Sequence, residues 1–254
     1  MPQISAGGHA LEVQWIDGSE PVLVFLHEGL GSIPQWRDFP DKVAKATGCR
    51  ALLYDRYGYG QSEVLKETRV GVEFMHEGAL SELPDLLKNL KVENPILVGH
   101  SDGASIALIH AAVHPVRGVA VMAPHVFVEG SGLESIRKIS DTFETTGLAG
   151  RLAKYHANPR KTFHLWADAW LDPAFRQWNI EEYLPRIKCP VLAIQGEADE
   201  YGTMAQLDAI KRQVGGPCEL LKLKDCGHSP HRDSPKEVLN SVAAFIRKIV
   251  GTNP

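Results

Sequence analysis

Ser101 stands in Gly99-His100-Ser101-Asp102-Gly103, directly after the apolar run 95–98 and directly before an apolar helical pattern. A sharp turn from a buried strand into a helix forces its central residue into a strained backbone conformation and lifts that side chain clear of the sheet. A side chain at either flanking glycine would collide with the crossing strand or helix. A serine hydroxyl is a poor nucleophile until a base takes its proton, and an imidazole base needs a carboxylate to fix its tautomer and stabilise its cation. Asp199, in Gln195-Gly196-Glu197-Ala198-Asp199, and His228, in Asp225-Cys226-Gly227-His228, could supply those two groups. Glu197 and Glu200 compete with Asp199, and Glu129 is a more distant rival. Asp199 is preferred because it lies three residues after the glycine that ends its strand. His231 is a decoy near His228.

These groups need a scaffold. Residues 9–15 alternate apolar and polar, as in a half-buried antiparallel strand. Continuous apolar runs at 21–26, 51–54, 95–98, 119–122 and 190–194 have the length and composition of buried parallel strands, and a further strand is expected at 219–223. Helical spacing recurs at 33–46, 72–90, 204–214 and 235–249. Alternation of buried strand and amphipathic helix predicts an α/β domain with a mostly parallel sheet of about eight strands and helices on both faces. The rhythm pauses over 128–187, where only helical patterns occur. The chain is therefore expected to be one domain, 1–254, with a helical cap inserted at 128–187. In such a sheet functional groups gather beyond the carboxyl ends of the strands. Those positions hold His27 to Gly29, Asp55-Arg56, Ser101, His125, Asp199 and His228.

In motif and in the order Ser…Asp…His, these residues resemble the triad of the α/β-hydrolase fold family. Asp55-Arg56-Tyr57-Gly58-Tyr59-Gly60-Gln61-Ser62 resembles that family's Asp-x-x-Gly-x-Gly-x-Ser turn, and His27 to Ser32 its oxyanion loop. The match spans essentially the whole chain. Ser-Asp after Gly-His, with a helical cap, is most similar to the biphenyl-hydrolase-like (valacyclovir-hydrolase-like) esterases. The resemblance implies that the N–H groups of Gly29 and Asp102 form the oxyanion hole. Glu28 is the departure, because family members usually carry glycine there. His27 is expected to brace the oxyanion loop, His100 to pack beneath the sheet edge, and Arg56 to be structural.

The expected activity is hydrolysis of small carboxylic esters through an acyl-enzyme, with no metal and no organic cofactor. Cleavage of a carbon–carbon bond in a ring-fission dienoate, or a ligand receptor on a hydrolase fold, are the alternatives. Asp102 and Glu28 could favour a substrate carrying an ammonium group, although a carboxylate also suits a first helical turn without any ligand. Trp166, Trp170 and Trp178 are candidates for an apolar pocket beneath the cap. A formal charge of −4 gives no basic surface for nucleic acid, and no apolar run is long enough to cross a bilayer. The first residues lack the basic and apolar regions of a secretory signal. Cys49, Cys189, Cys218 and Cys226 have irregular spacings that suggest neither zinc nor disulfides. A cytoplasmic enzyme with a small-molecule substrate is expected; the oligomeric state is not legible.

Overall fold

The computed structural model describes residues 2–251. Eight strands form one sheet: β1 (Gln3–Ala6), β2 (His9–Ile16), β3 (Ser19–Leu26), β4 (Cys49–Tyr54), β5 (Ile96–His100), β6 (Gly118–Met122), β7 (Val191–Gly196) and β8 (Cys218–Leu223). Their spatial order is β1-β2-β4-β3-β5-β6-β7-β8. The β1/β2 and β2/β4 pairs are antiparallel and all others parallel. The central strands read as unbroken apolar runs because helices cover both faces, and β5 and β6 are buried at every residue. β1 has no counterpart in the sequence reading. Its four residues are too short to show a period, and pairing with β2 is what orders them as a strand.

The helices are α1 (Phe39–Thr47), α2 (Phe74–Glu77), α3 (Leu83–Asn89), α4 (Asp102–Val113), α5 (Gly130–Thr142), α6 (Leu148–Leu152), α7 (Pro159–Leu171), α8 (Ala205–Gln213), α9 (Pro230–Asp233) and α10 (Pro235–Val250). Two expected helices are interrupted, both at proline. The 33–46 segment begins as a 3-10 turn, Ile33–Trp36, and restarts as α1 with Pro40 in its first turn. Proline lacks the N–H that a helix interior needs, so the helix must begin there. In 72–90 the chain widens into a π-turn stretch, Gly78–Glu82, before α3 opens with Pro84 in its first turn. Two clusters of buried side chains lie on the two faces of the sheet. α4 is apolar on all sides and buried from Asp102 to Ala111, as its position among β3, β5, β6 and the π-turn Gly78–Glu82 requires. Between β6 and β7 the chain is helical apart from an isolated bridge, Phe127 to Asn179. Among the described residues no helix is long and apolar enough to cross a membrane, and all four cysteines are free.

Candidate active site

The register of the parallel strands brings the separate loops together. Leu26 pairs with Gly99 and His100 with Met122, so β3, β5 and β6 end level. β6 and β7 continue that edge through Met122 and Ile194, and Gly196 of β7 faces Leu223 of β8. At the end of β5, Ser101 takes φ 53° and ψ −121°, a strained conformation for a residue with a side chain. Its N–H still donates to Met122 O at 2.9 Å. A Cβ on Gly103 would stand 2.1 Å from Leu26 O, and one on Gly99 2.5 Å from Gly103 O. Both contacts are with backbone that cannot give way, so the turn requires both glycines.

Ser101 Oγ lies 2.9 Å from His228 Nε2. Both carboxylate oxygens of Asp199 lie 2.9 Å from His228 Nδ1. The sequence separation from Ser101 to His228 is 127 residues. Asp199 is held in turn by Tyr201 N–H at 2.8 Å and Gly202 N–H at 3.4 Å on Oδ1, and by Gln195 Nε2 at 2.6 Å on Oδ2. Burial pushes the Asp199 carboxyl upward, but the His228 hydrogen bond and charge and the Tyr201 N–H outweigh it and hold it below the usual range. Burial likewise pulls His228 down, yet the hydrogen bond and charge of Asp199, with Glu28 and Glu200, leave it raised. An anionic Asp199 fixes the proton on Nδ1 and leaves Nε2 free to accept one.

The competing residues do not hydrogen-bond to the imidazole. Glu129 accepts from Thr203 N–H at 2.8 Å and Gln206 Nε2 at 2.7 Å. Among the described residues, neither Glu197 nor Glu200 is hydrogen-bonded to the imidazole of His228. His231 is buried against Trp36 and Phe39, and burial drives it down to about 2. His125 lines the cavity beside His228, 5.8 Å between ring centroids, and burial lowers its pKa to about 3.

The loop at 27–32 is held through one carbonyl. Glu28 O accepts from His27 Nδ1 at 2.7 Å, Arg56 Nη2 at 2.8 Å and Gly31 N–H at 3.0 Å. His27 Nε2 accepts from Arg56 N–H at 3.1 Å, which places the ring's own proton on Nδ1. In a trans peptide the N–H points opposite the C=O, so three donors on Glu28 O fix Gly29 N–H facing the other way. Gly29 must lack a Cβ, which would lie 2.2 Å from Trp166 Nε1. Behind the loop, Asp55 Oδ1 accepts from Ile33 N–H at 2.7 Å and Oδ2 from Gln61 N–H at 2.9 Å. The Asp-x-x-Gly-x-Gly-x-Ser turn thus fastens the end of β4 to the far end of the 27–32 loop.

A cavity of about 240 Å³ opens on Ser101 and His228. Trp166 and Trp170 line it together with Glu28, Gly29 and Asp102. Trp178 does not. It is stacked on Phe175, ring centroids 5.4 Å apart, and helps to dock α7 rather than to face the cavity. Tyr201, Leu30 and Ile136 also line this cavity; nothing in their local sequence marks them. Asp102 is fully buried, with Oδ2 accepting from Trp166 Nε1 at 3.2 Å and lying 4.0 Å from Arg56 Nη2. Burial raises its carboxyl despite Arg56 and the Trp166 indole. Glu28, by contrast, turns its carboxylate toward His100 and Arg232, at 3.5 and 3.4 Å. A larger cavity of about 470 Å³ lies beyond Trp166 and Arg56, and it contains none of Ser101, Asp199 or His228. No cluster of His, Cys, Asp or Glu suited to a metal ion occurs among the described residues.

A strand-end elbow, an imidazole bridging serine to carboxylate and an eight-stranded sheet in this order define a hydrolase fold. The chain belongs to the alpha/beta hydrolase family, whose family model matches residues 23–241. It is similar to 3-oxoadipate enol-lactonase 1 of Acinetobacter baylyi, 23% identical over 95% of both chains. To the human serine hydrolase BPHL it is 30% identical over 65% of this chain and 58% of that one. Among solved structures, a carboxylesterase of Nitrososphaera gargenis superposes with a TM-score of 0.76 at 19% identity, covering 98% of this chain and 99% of that one. At that identity the likeness speaks for the fold alone.

Proposed function

We propose that this protein is a serine hydrolase of small carboxylic esters, lactones included. The observation that carries the reading is the continuous Ser101–His228–Asp199 array, with 2.9 Å at each link. His228 Nε2 takes the Ser101 proton as Oγ attacks the substrate carbonyl, and Asp199 stabilises the imidazolium that forms. The N–H groups of Gly29 and Asp102 hold the oxyanion; each such donor is worth roughly 3 kcal/mol. The imidazolium gives its proton to the leaving alcohol, and the acyl-enzyme is then opened by water that the same histidine deprotonates. Residues 128–187 act as a cap inserted in a single domain, with Trp166 and Trp170 shaping the acyl side of the cavity. The relative named as an enol-lactonase fits this reading, because a lactone is an internal ester.

Ser101→Ala is expected to abolish both the p-nitrophenyl butyrate burst and labelling by a fluorophosphonate probe. An undiminished burst removes the mechanism, and ligand-induced thermal stabilisation without labelling would instead mark a receptor. Dienoate cleavage exceeding ester cleavage in the same assay would move the protein to carbon–carbon hydrolysis.

Asp102 supports a second, narrower reading. Its Oδ1 is buried with no close hydrogen-bond partner among the described residues, the Trp170 indole supporting the carboxylate only loosely, in a side chain that lines the cavity next to the nucleophile. An α-ammonium on the acyl group would supply that partner, which favours amino-acid esters. Glu28 contributes little to this, since its carboxylate is already paired with His100 and Arg232. A matched ester pair with and without the amino group, compared in wild type and Asp102→Asn, tests it; equal losses on both esters exclude it.

A further inference from the structure

The grip on Glu28 O is continued from the helical segment 128–187 by a second carbonyl of the same loop. His156 lies in the link between α6 and α7 and is buried. Its Nδ1 accepts from Gly60 N–H at 2.9 Å, so the ring's own proton sits on Nε2. Nε2 lies 3.0 Å from Leu30 O and donates to it. Burial lowers the pKa of His156 against the pull of the Leu30 carbonyl, so a neutral ring makes both bonds. Among the described residues, His156 is the one side chain of 128–187 that hydrogen-bonds to the 27–32 loop. The link is itself fixed in place. Ala157 N–H donates to Gly60 O at 2.9 Å, and Thr162 Oγ1 donates to Gly58 O at 2.7 Å. Asn158 caps α7 by accepting from Lys161 N–H at 3.2 Å.

We propose that His156 is a positioning residue for the oxyanion donor, so that docking of the 128–187 segment completes the oxyanion hole. The proposal rests on the reading of the protein as a serine hydrolase with Gly29 N–H as a donor. Two peptide planes carry the contact. The Leu30 carbonyl that His156 holds shares its peptide with Gly31 N–H, which donates to Glu28 O at 3.0 Å. The Glu28 carbonyl in turn shares its peptide with Gly29 N–H. Each trans peptide points its N–H opposite its C=O, so an orientation fixed at Leu30 O is handed on to Gly29 N–H. Without the imidazole donor, the Leu30 carbonyl loses its partner and its peptide can turn, drawing Gly31 N–H off Glu28 O. His27 Nδ1 and Arg56 Nη2 remain on Glu28 O, at 2.7 and 2.8 Å, so Gly29 N–H is loosened rather than lost. Thr162 pins the same segment to the same turn without touching the loop, which separates docking from aiming.

Two amides divide the ring's two bonds. A glutamine places its nitrogen where imidazole Nε2 sits and keeps the donor to Leu30 O. An asparagine places its oxygen where Nδ1 sits and keeps only the acceptor for Gly60 N–H. His156→Asn should therefore lower kcat and kcat/KM for p-nitrophenyl butyrate equally, by roughly ten- to hundred-fold, as when a group acting in the transition state is misplaced. Affinity for a trifluoromethyl ketone of matched chain length, whose serine adduct carries the oxyanion, should fall by the same factor. His156→Gln should recover most of both losses. Thr162→Val should lower the melting temperature and leave kcat within about three-fold of wild type. If His156→Asn does not fold by circular dichroism, nitrogen NMR of the wild type decides. His156 must then carry its proton on Nε2, and that resonance must shift when the ketone binds; the other tautomer, or no shift, overturns the proposal. So does a loss in His156→Asn that Thr162→Val or His156→Gln matches, or a kcat for His156→Asn within about three-fold of wild type. Each of these leaves the triad intact, provided Ser101→Ala is inactive. Activity retained in Ser101→Ala overturns the serine-hydrolase reading, and this proposal with it.

Discussion

Asp199→Asn separates the orientation of the base from its mere presence. An asparagine must put an NH₂ where one carboxylate oxygen now sits. At Oδ1 it would face the Tyr201 and Gly202 N–H groups, at 2.8 and 3.4 Å, and neither backbone donor can turn away. At Oδ2 it would face Gln195 Nε2 at 2.6 Å, and that amide can rotate. Rotation presents Gln195 Oε1, which has no hydrogen-bond partner among the described residues, at the expense of the 2.9 Å bond from Nε2 to Gly202 O. The NH₂ therefore settles on the Oδ2 side, which is also 2.9 Å from His228 Nδ1.

Oδ1 still lies 2.9 Å from Nδ1, but as a neutral amide oxygen already accepting two backbone N–H groups it is a weak partner. The ring therefore favours the tautomer in which Nδ1 accepts the new N–H and the proton sits on Nε2. That nitrogen lies 2.9 Å from Ser101 Oγ and can no longer take its proton. Tautomer reversal in a site of this type costs about 10⁴ in kcat. At about 1.36 kcal/mol per factor of ten, the barrier rises by about 5.4 kcal/mol. Steady-state hydrolysis of p-nitrophenyl butyrate at pH 8 measures it, with near-ultraviolet circular dichroism to establish native packing. Glu200→Gln, whose side chain lines the cavity but is not hydrogen-bonded to the imidazole, should stay within roughly three-fold of wild type. Less than a ten-fold loss in Asp199→Asn, or an equal loss in Glu200→Gln, refutes the assignment.

Three further outcomes follow from packing and burial. Burial pushes Glu82 up to about 7 from an ordinary 4.5, so its contribution to stability is complete below about 4.5 and is lost as pH rises through 7. Glu82→Gln should match wild type at pH 4.5 and exceed it at pH 8 by up to about 3 kcal/mol in urea unfolding, whereas an offset constant with pH would contradict this. Trp166→Phe removes the indole donor from buried Asp102 and should cost about 2 kcal/mol in the same assay; a change under about 0.5 kcal/mol would mean the bond carries little. Gly103→Ala forces a Cβ against Leu26 O and should lose about 3 kcal/mol or more, while Gly130→Ala, with nothing within 4 Å, should stay within about 1 kcal/mol of wild type; similar melting temperatures for the two would break the elbow argument.

Chemistry was legible in this chain wherever it makes demands on the backbone. The elbow needs two glycines around Ser101 because strand and helix backbones pass within van der Waals contact, and such demands leave a local signature. The alternation of strands is legible for a similar reason, since strands buried on both faces must be continuously apolar. The interruptions at Pro40 and Pro84 were equally local, but apolar periodicity runs through them and conceals the break. The short β1 carries no period at all.

Side-chain neighbours across the chain leave no such mark. Trp166, Trp170 and Trp178 have the same residue type and similar spacing, yet only the first two reach the cavity. Which rings face inward depends on how α7 and the turn after it dock, and Phe175 captures the third by stacking. Glu28 is the sharper case. In the sequence it looks like a residue in the wrong place, because the loop that precedes the oxyanion donor ordinarily has no use for a side chain. Its partners are His100 and Arg232, the latter 204 residues away, and no local pattern could announce them. A departure from a loop's usual composition thus marks a contact that only the folded chain reveals, here a carboxylate brought beside the elbow and the first turn of α9.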